Sequence, residues 1–232
     1  MSSENKAKRI TAAELTEGIQ AVIFDLDGTL IDSMWMWKQI DIDYLASHGH
    51  PLPEDLQDCI EGMSFSETAV YFKERFCLTD PLDVIKEDWN RMAYDIYVND
   101  VPLKPGVAEF LQYLKRKGIR TGIATSNSKE LLMAVLKSLG IEEYFDEIHT
   151  SCEVEKGKPA PDIYLLVAEK LEAEPKACLV FEDIMQGILA GKAAGMKVCA
   201  VKDAFSWKQE AEKQATADWF IDGFDEIMKG ME

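Results

Sequence analysis

The sequence predicts an α/β fold: a parallel sheet flanked by helices, interrupted by an all-helical insertion. Three observations carry this reading. Short apolar runs alternate with helical periodicity along most of the chain, the pattern of a parallel sheet with crossover helices. The alternation stops between Ser33 and about Val101, where only helical spacing is found. The apolar runs end on carboxylates and small polar residues, and open α/β sheets bind ligands at the carboxyl ends of their strands.

The elements follow in order. Met1 to Gln20 is polar and charged, a short N-terminal extension in which Thr11-Ala-Ala-Glu14 has the form of a capping box. Ala21–Phe24 is the first apolar strand. The insertion then presents apolar residues at helical spacing, from the Trp35-Met36-Trp37 cluster through Phe72 to Trp89 and Tyr97. Val107–Arg116 is an amphipathic helix, Ile119–Ala124 a strand, Glu130–Leu139 a helix and Glu147–Thr150 a weaker strand. Ile163–Leu171 is a helix, followed by strands at Cys178–Phe181, Val198–Val201 and, more weakly, Asp218–Ile221. The expected division is a Rossmann-like core from 1–33 and 102–232, including the extension at 1–20, with a helical cap at 34–101. Hinges are expected near Ser33 and Val101-Pro102, where proline fixes the chain.

Composition narrows the function. The 232 residues are 47% hydrophobic, enough for a well-packed core. The 25 basic and 42 acidic residues leave a net charge of −17, which lacks the basic footprint of a nucleic-acid binder. Five cysteines form no CxxC pair and read as reduced thiols. There is no apolar run of the ~20 residues a membrane span needs and no signal-peptide h-region. A monomeric cytoplasmic protein without membrane or nucleic-acid partners is expected.

The chemistry is concentrated in four stretches. Asp25-Leu26-Asp27-Gly28-Thr29 follows the first strand directly. Strand residues i and i+2 share a side, so two anions are set close together. Their repulsion calls for a cation or a proton between them. Residues 121–129, Thr-Gly-Ile-Ala-Thr-Ser-Asn-Ser-Lys, end a strand and open a helix. They suit either an anion site or plain N-capping by Ser126 or Ser128. Residues 156–162, Lys-Gly-Lys-Pro-Ala-Pro-Asp, hold Lys158 against a rigid proline pair, and a helix is expected to begin near Asp162. Residues 179–195 close a strand on Glu182-Asp183 and continue into a helix of small residues. In a regular strand those two carboxylates point to opposite sides, one toward a metal and one toward a water.

These four stretches, in this order, resemble the four motifs of the haloacid dehalogenase superfamily, in the subgroup with a helical cap after the first motif. The resemblance covers about Ala21 to the C-terminus. It implies a Mg²⁺-dependent phosphatase of a small phosphorylated metabolite, such as a sugar phosphate, acting through an aspartyl-phosphate. Asp25 is then the nucleophile and Asp27 the general acid and base. Gly28, Ser126, Asn127 and Lys158 serve the phosphate. Asp25, the Asp27 carbonyl and Asp183 hold the metal, with Glu182 acting through water. Many relatives place Ser after the acidic pair. This chain has Ile184, which removes one hydrogen bond in support of the ligands. Asp27 separates the chain from the dehalogenases, which lack that aspartate, and from the calcium-pump type, which has lysine there.

Two further readings stay open. One is a β-phosphoglucomutase-like phosphomutase, in which a histidine and an arginine of the cap region grip a sugar bisphosphate. Trp37 and Phe65 stand at those positions here, which favours hydrolysis. The other is a non-catalytic binding protein on the same fold. Trp37 and its neighbours fit either the cap core or the substrate pocket. His48-Gly49-His50 reads as a polar turn between cap helices, and His149 as a strand-end residue.

Overall fold

All four residues of β1 (Ala21–Phe24) are buried because helices cover both faces of the sheet around it. The computed structural model describes residues 10–229, so the first nine residues of the N-terminal extension lie outside the described residues. Five further strands pair in parallel: β2 (Arg120–Thr125), β3 (Glu147–Thr150), β4 (Cys178–Glu182), β5 (Lys197–Val201) and β6 (Trp219–Ile221). Their order is β3-β2-β1-β4-β5-β6. The sequence order reverses between β1 and β4, the switch point at which such sheets open a crevice.

Alternate residues of the strands feed two cores. Phe24, Leu179 and Phe181 face α6 (Val107–Lys117), α7 (Lys129–Ser138) and α11 (Phe224–Met228). The Phe24 and Phe181 rings stack at 5.3 Å on that side, with Phe110 and Phe224 around them. Ile23, Val180 and Val198 face the other way, onto α8 (Asp162–Lys170) and α9 (Met185–Ala193). The period-two alternation inside a continuous apolar run is what two covered faces require.

Between β1 and α6 lie four helices and no strand: α2 (Met34–Ser47), α3 (Leu56–Ile60), α4 (Phe65–Arg75) and α5 (Leu82–Asn99). Their core is aromatic. Trp89 packs against Phe72 at 5.0 Å and Tyr44 at 5.6 Å. Ser64 begins α4 with a capping box to Glu67. His48 and His50 flank Gly49, which turns at a φ of 79° after α2. The two ends of the insertion are tied together. Ile31 and Leu103 form an antiparallel bridge, Asp32 N donates to the Pro102 carbonyl at 3.0 Å, and Lys104 N donates to Leu30 at 2.9 Å. Outside the sheet, α1 (Ala12–Leu15) carries the capping box expected at Thr11 and Glu14, and α10 (Glu210–Thr216) precedes β6.

Candidate active site

The carboxyl ends of β1 and β4 bring three buried carboxylates together. Asp25, Glu182 and Asp183 each offer an oxygen within 4.8 Å of the others. Lys158, on the turn before α8, enters between them. Its Nζ donates to Asp25 Oδ1 at 2.7 Å and to Glu182 Oε1 at 2.5 Å. Burial alone lowers an ammonium pKa, but the Asp25 and Glu182 charges outweigh it and hold Lys158 above its ordinary value. Burial pushes the Asp25 carboxyl up, and Lys158 opposes that shift. The proline-framed lysine is thus held at Asp25.

Glu182 is turned wholly inward. Oε1 also accepts from the Tyr164 hydroxyl at 2.6 Å, and Oε2 accepts from the backbone N–H of Asp183 at 3.0 Å and of Ile184 at 3.4 Å. Both its oxygens are occupied by protein donors, so what the structure shows is a support for Lys158. The small-residue helix makes room for it: a Cβ on Gly187 would lie 1.8 Å from Glu182 Oε1. Asp183, just past the end of β4, accepts at its Oδ1 from Thr29 Oγ1 at 2.9 Å. Gly28, at a φ of 83°, stands against that carboxylate, and a Cβ there would lie 2.3 Å from Asp183 Oδ2. The glycine after Asp27 is therefore required both for its conformation and for the space it leaves.

Asp27 sits apart from this cluster, inside a cage of donors. Its Oδ1 accepts from Ser33 Oγ at 2.5 Å, from Trp37 Nε1 at 3.0 Å and from the Tyr97 hydroxyl. Its Oδ2 accepts from Asn127 Nδ2 at 2.9 Å. Trp37 and Tyr97 belong to the inserted helices, while Asn127 follows β2. Asn127 also donates to the Tyr97 hydroxyl at 2.7 Å, so its amide nitrogen is committed to Asp27 and Tyr97. Of the two serines beside it, Ser128 is the N-cap of α7. Ser126 is half-buried, lines the cavity described next, and donates to the Gly62 carbonyl at 3.4 Å. The Trp35-Met36-Trp37 cluster divides three ways: Met36 is core, Trp35 faces solvent, and Trp37 reaches Asp27.

A cavity of about 800 Å³ opens from these residues toward the inserted helices. Asp25, Asp27, Ser126, Asn127, Lys158 and Asp183 line it on the side of the sheet, and Trp37 and Phe65 line it from the inserted helices. Their rings meet edge to face at 6.4 Å. Asp41 on α2 lies in the same wall and accepts from Gln57 Nε2 at 2.6 Å. Burial pushes its carboxyl to about 7. The loop after β5 closes one side, and Gln209 there clasps the insertion through Glu61 at 2.7 Å and α9 through Met185 N at 2.9 Å.

Residues 19–195 match the family model of the haloacid dehalogenase-like hydrolases. The chain belongs to this family. It is 34% identical over 179 residues to a phosphorylated carbohydrates phosphatase of Thermotoga maritima, covering 77% of this chain and 83% of that protein. Among solved structures it is similar to CbbY from Rhodobacter sphaeroides in complex with phosphate, with a TM-score of 0.79 and 25% identity. That match covers 89% of this chain and 95% of CbbY. A putative β-phosphoglucomutase of Thermotoga maritima is also similar, with a TM-score of 0.68 and 31% identity over 90% of this chain and 97% of the other.

The carboxylates of this hydrolase fit a hard divalent cation. Asp183 Oδ2 is buried and has no hydrogen-bond partner. Asp25 Oδ2 takes no protein donor among the described residues. Burial, and then the Glu182 charge, push Asp183 to about 8, a shift that a bound cation reverses. An all-oxygen donor set of few carboxylates suits Mg²⁺, which keeps several waters. Sequence reasoning missed Tyr97, Tyr164, Ser33 and Asp41. Tyr97 was visible only as one of the apolar positions of the last inserted helix.

Proposed function

We propose that the chain is a Mg²⁺-dependent phosphatase of small phosphate monoesters that works through an aspartyl-phosphate on Asp25. The observation that carries this reading is Lys158 Nζ, 2.7 Å from Asp25 Oδ1 and buried beside the unpartnered Asp183 Oδ2. A nucleophilic carboxylate, a fixed ammonium and a cation site at one cavity end are what phosphoryl transfer needs, since its catalysis is mostly positioning and charge stabilisation.

Asp25 attacks phosphorus, and the bond from phosphorus to the leaving oxygen breaks. Asp27 gives that oxygen its proton, then takes a proton from the water that releases phosphate and restores Asp25. Ser33, Trp37, Tyr97 and Asn127 aim the Asp27 carboxyl. Lys158 and Ser126 offset charge on the phosphoryl oxygens. When bound, Mg²⁺ held by Asp25, Asp183 and the Asp27 carbonyl neutralises phosphate charge. Residues 34–101 act as the cap that excludes water and selects the alcohol. In a chain of net charge −17, such local cations offset the field a phosphate meets.

The likeness to a putative β-phosphoglucomutase keeps a mutase in view. Three of the cap cations argue against it. Lys73 is turned to the carbonyls of Leu78, Thr79 and Asp80, Arg75 to Asp55 and Tyr71, and Arg91 to Asp88. Of the described lysines and arginines of the inserted helices, Lys38 alone lines the cavity. Mg²⁺-dependent release of phosphate from an aryl phosphate tests the phosphatase reading. Asp25→Asn should abolish the release. Activity that survives this change, or persists in excess chelator, overturns the assignment.

A further inference from the structure

Phe205 and Trp207 are 46% and 65% exposed, the two highest values among the exposed large hydrophobic residues described. They stand two apart on the loop after β5, and both line the cavity whose floor is Asp25. Single exposed apolar residues are ordinary, but a pair at a cavity mouth marks a binding surface.

The loop that carries them is fixed. Ser206 between them is buried, and its Oγ donates to the Asp183 carbonyl at 2.8 Å. Lys213 Nζ donates to the same carbonyl at 2.8 Å and to Ser206 Oγ at 2.9 Å. Asp203 pairs with Lys104 at 2.7 Å and accepts from Phe205 N at 2.8 Å. A loop tied to the backbone of a metal-site residue thus presents two aromatic rings to open space. Packing does not fully account for them, since 46% of Phe205 and 65% of Trp207 stay exposed.

We infer that Phe205 and Trp207 form a platform for a planar ring in the leaving group, so that the substrate class is a phosphate monoester of an aryl- or heteroaryl-bearing alcohol. This deepens the phosphatase reading and rests on it. The cavity of about 800 Å³ lies in the upper part of the range for drug-sized ligands, much larger than a phosphate with a two- or three-carbon alcohol. Trp37 and Phe65 line the same cavity, and aromatic faces prefer a planar, polarisable partner. The net charge of −17 makes an anionic membrane surface a poor alternative occupant of the rim.

Three esters with similar alkyl leaving oxygens test this: 2-phenylethyl, 2-cyclohexylethyl and ethyl phosphate. The phenyl ester is expected to exceed the cyclohexyl ester in kcat/KM by about tenfold, chiefly through KM. Phe205→Ala and Trp207→Ala should each bring that ratio toward one, Trp207→Phe should keep most of it, and Trp35→Ala should leave it unchanged. Binding of 2-phenylethyl- and 2-cyclohexylethylphosphonate, followed by calorimetry, separates this inference from the one beneath it. Ring-dependent binding without turnover of any ester refutes the phosphatase and retains the platform. Equal binding of the two phosphonates overturns the platform whatever the turnover. A dimer that dissociates on Trp207→Ala would assign the rings to a protein contact and also overturn it.

Discussion

Lys158→Met keeps the apolar stem and removes only the ammonium. The side chain it replaces is 1% exposed and bonds two carboxylates, at 2.7 Å and 2.5 Å, with the Tyr164 ring 5.3 Å from its Nζ. In the variant Asp25 keeps no cation, and Glu182 keeps Tyr164 and two backbone amides. Removing one partner of a buried ion pair costs about 3–5 kcal/mol, because the remaining charge stays buried and uncompensated. At about 2–4 °C per kcal/mol for a chain of this size, Tm should fall by about 6–20 °C. On the proposed assignment Mg²⁺ would bind Asp25, so millimolar Mg²⁺ should restore more stability to the variant than it adds to the parent. Turnover should drop by at least the ~10²–10³ that one preorganised charge-stabilising donor supplies. Urea denaturation with and without Mg²⁺, together with aryl phosphate hydrolysis, measures both. A stability loss below about 1 kcal/mol in a variant that keeps a tenth of its turnover would refute the reasoning.

Four more outcomes are expected. Asp27→Asn should slow turnover by about 10²–10⁴ while leaving intact the Mg²⁺ affinity read from thermal stabilisation, since only its backbone carbonyl is assigned to the metal. A large affinity loss with little rate effect would reverse that division of roles. Asp41 is raised from 3.8 to about 7 on folding, so the native state holds its proton more tightly than the unfolded chain. Its contribution is full below about pH 4 and is lost as pH rises through about 7, a ceiling of about 4 kcal/mol. Asp41→Asn should flatten the fall in stability between pH 5 and pH 8, and equal slopes in urea denaturation of the two proteins would contradict the burial argument. Gly187→Ala should displace Glu182 and with it Lys158, lowering Tm and turnover together; an unchanged Tm would mean that the helix shifts freely. Finally, phosphate should be released from monophosphates without a bisphosphate activator. Conversion of β-glucose 1-phosphate to glucose 6-phosphate faster than phosphate release would favour the mutase.

The sheet and the catalytic edge were legible because both are written locally. Buried strands appear as apolar runs, and a carboxylate at the end of such a run has little structural reason to be there. The proline frame of Lys158 likewise announced a held lysine. That Ser33, Trp37, Tyr97 and Asn127 converge on Asp27 was not legible, because two of these contacts span great chain distances. Tyr97 is 70 residues away and Asn127 100 residues away. An aromatic on an amphipathic helix reports burial, not which polar atom its hydroxyl meets, so Tyr97 read only as an apolar position and Tyr164 was not singled out. Glu182 illustrates the same limit: alternation assigned its side of the strand, but the proximity of Lys158 gives it its visible role. Gly28 was legible as part of the Asp-Leu-Asp-Gly-Thr stretch, whereas its contact with Asp183 depends on β1 and β4 lying side by side.

The bridge between Ile31 and Leu103 changes what the inserted helices mean for the core. With both ends pinned at one point, the sheet experiences residues 34–101 as a loop. Loop-closure entropy grows only logarithmically, about 0.6 kcal/mol for each doubling of length. The core is therefore nearly indifferent to the size of what hangs from that clasp. The insertion can change in length without re-registering a single strand, provided that Trp37 and Tyr97 still reach Asp27. Divergence is thus open to the parts of the insertion that do not carry those two donors.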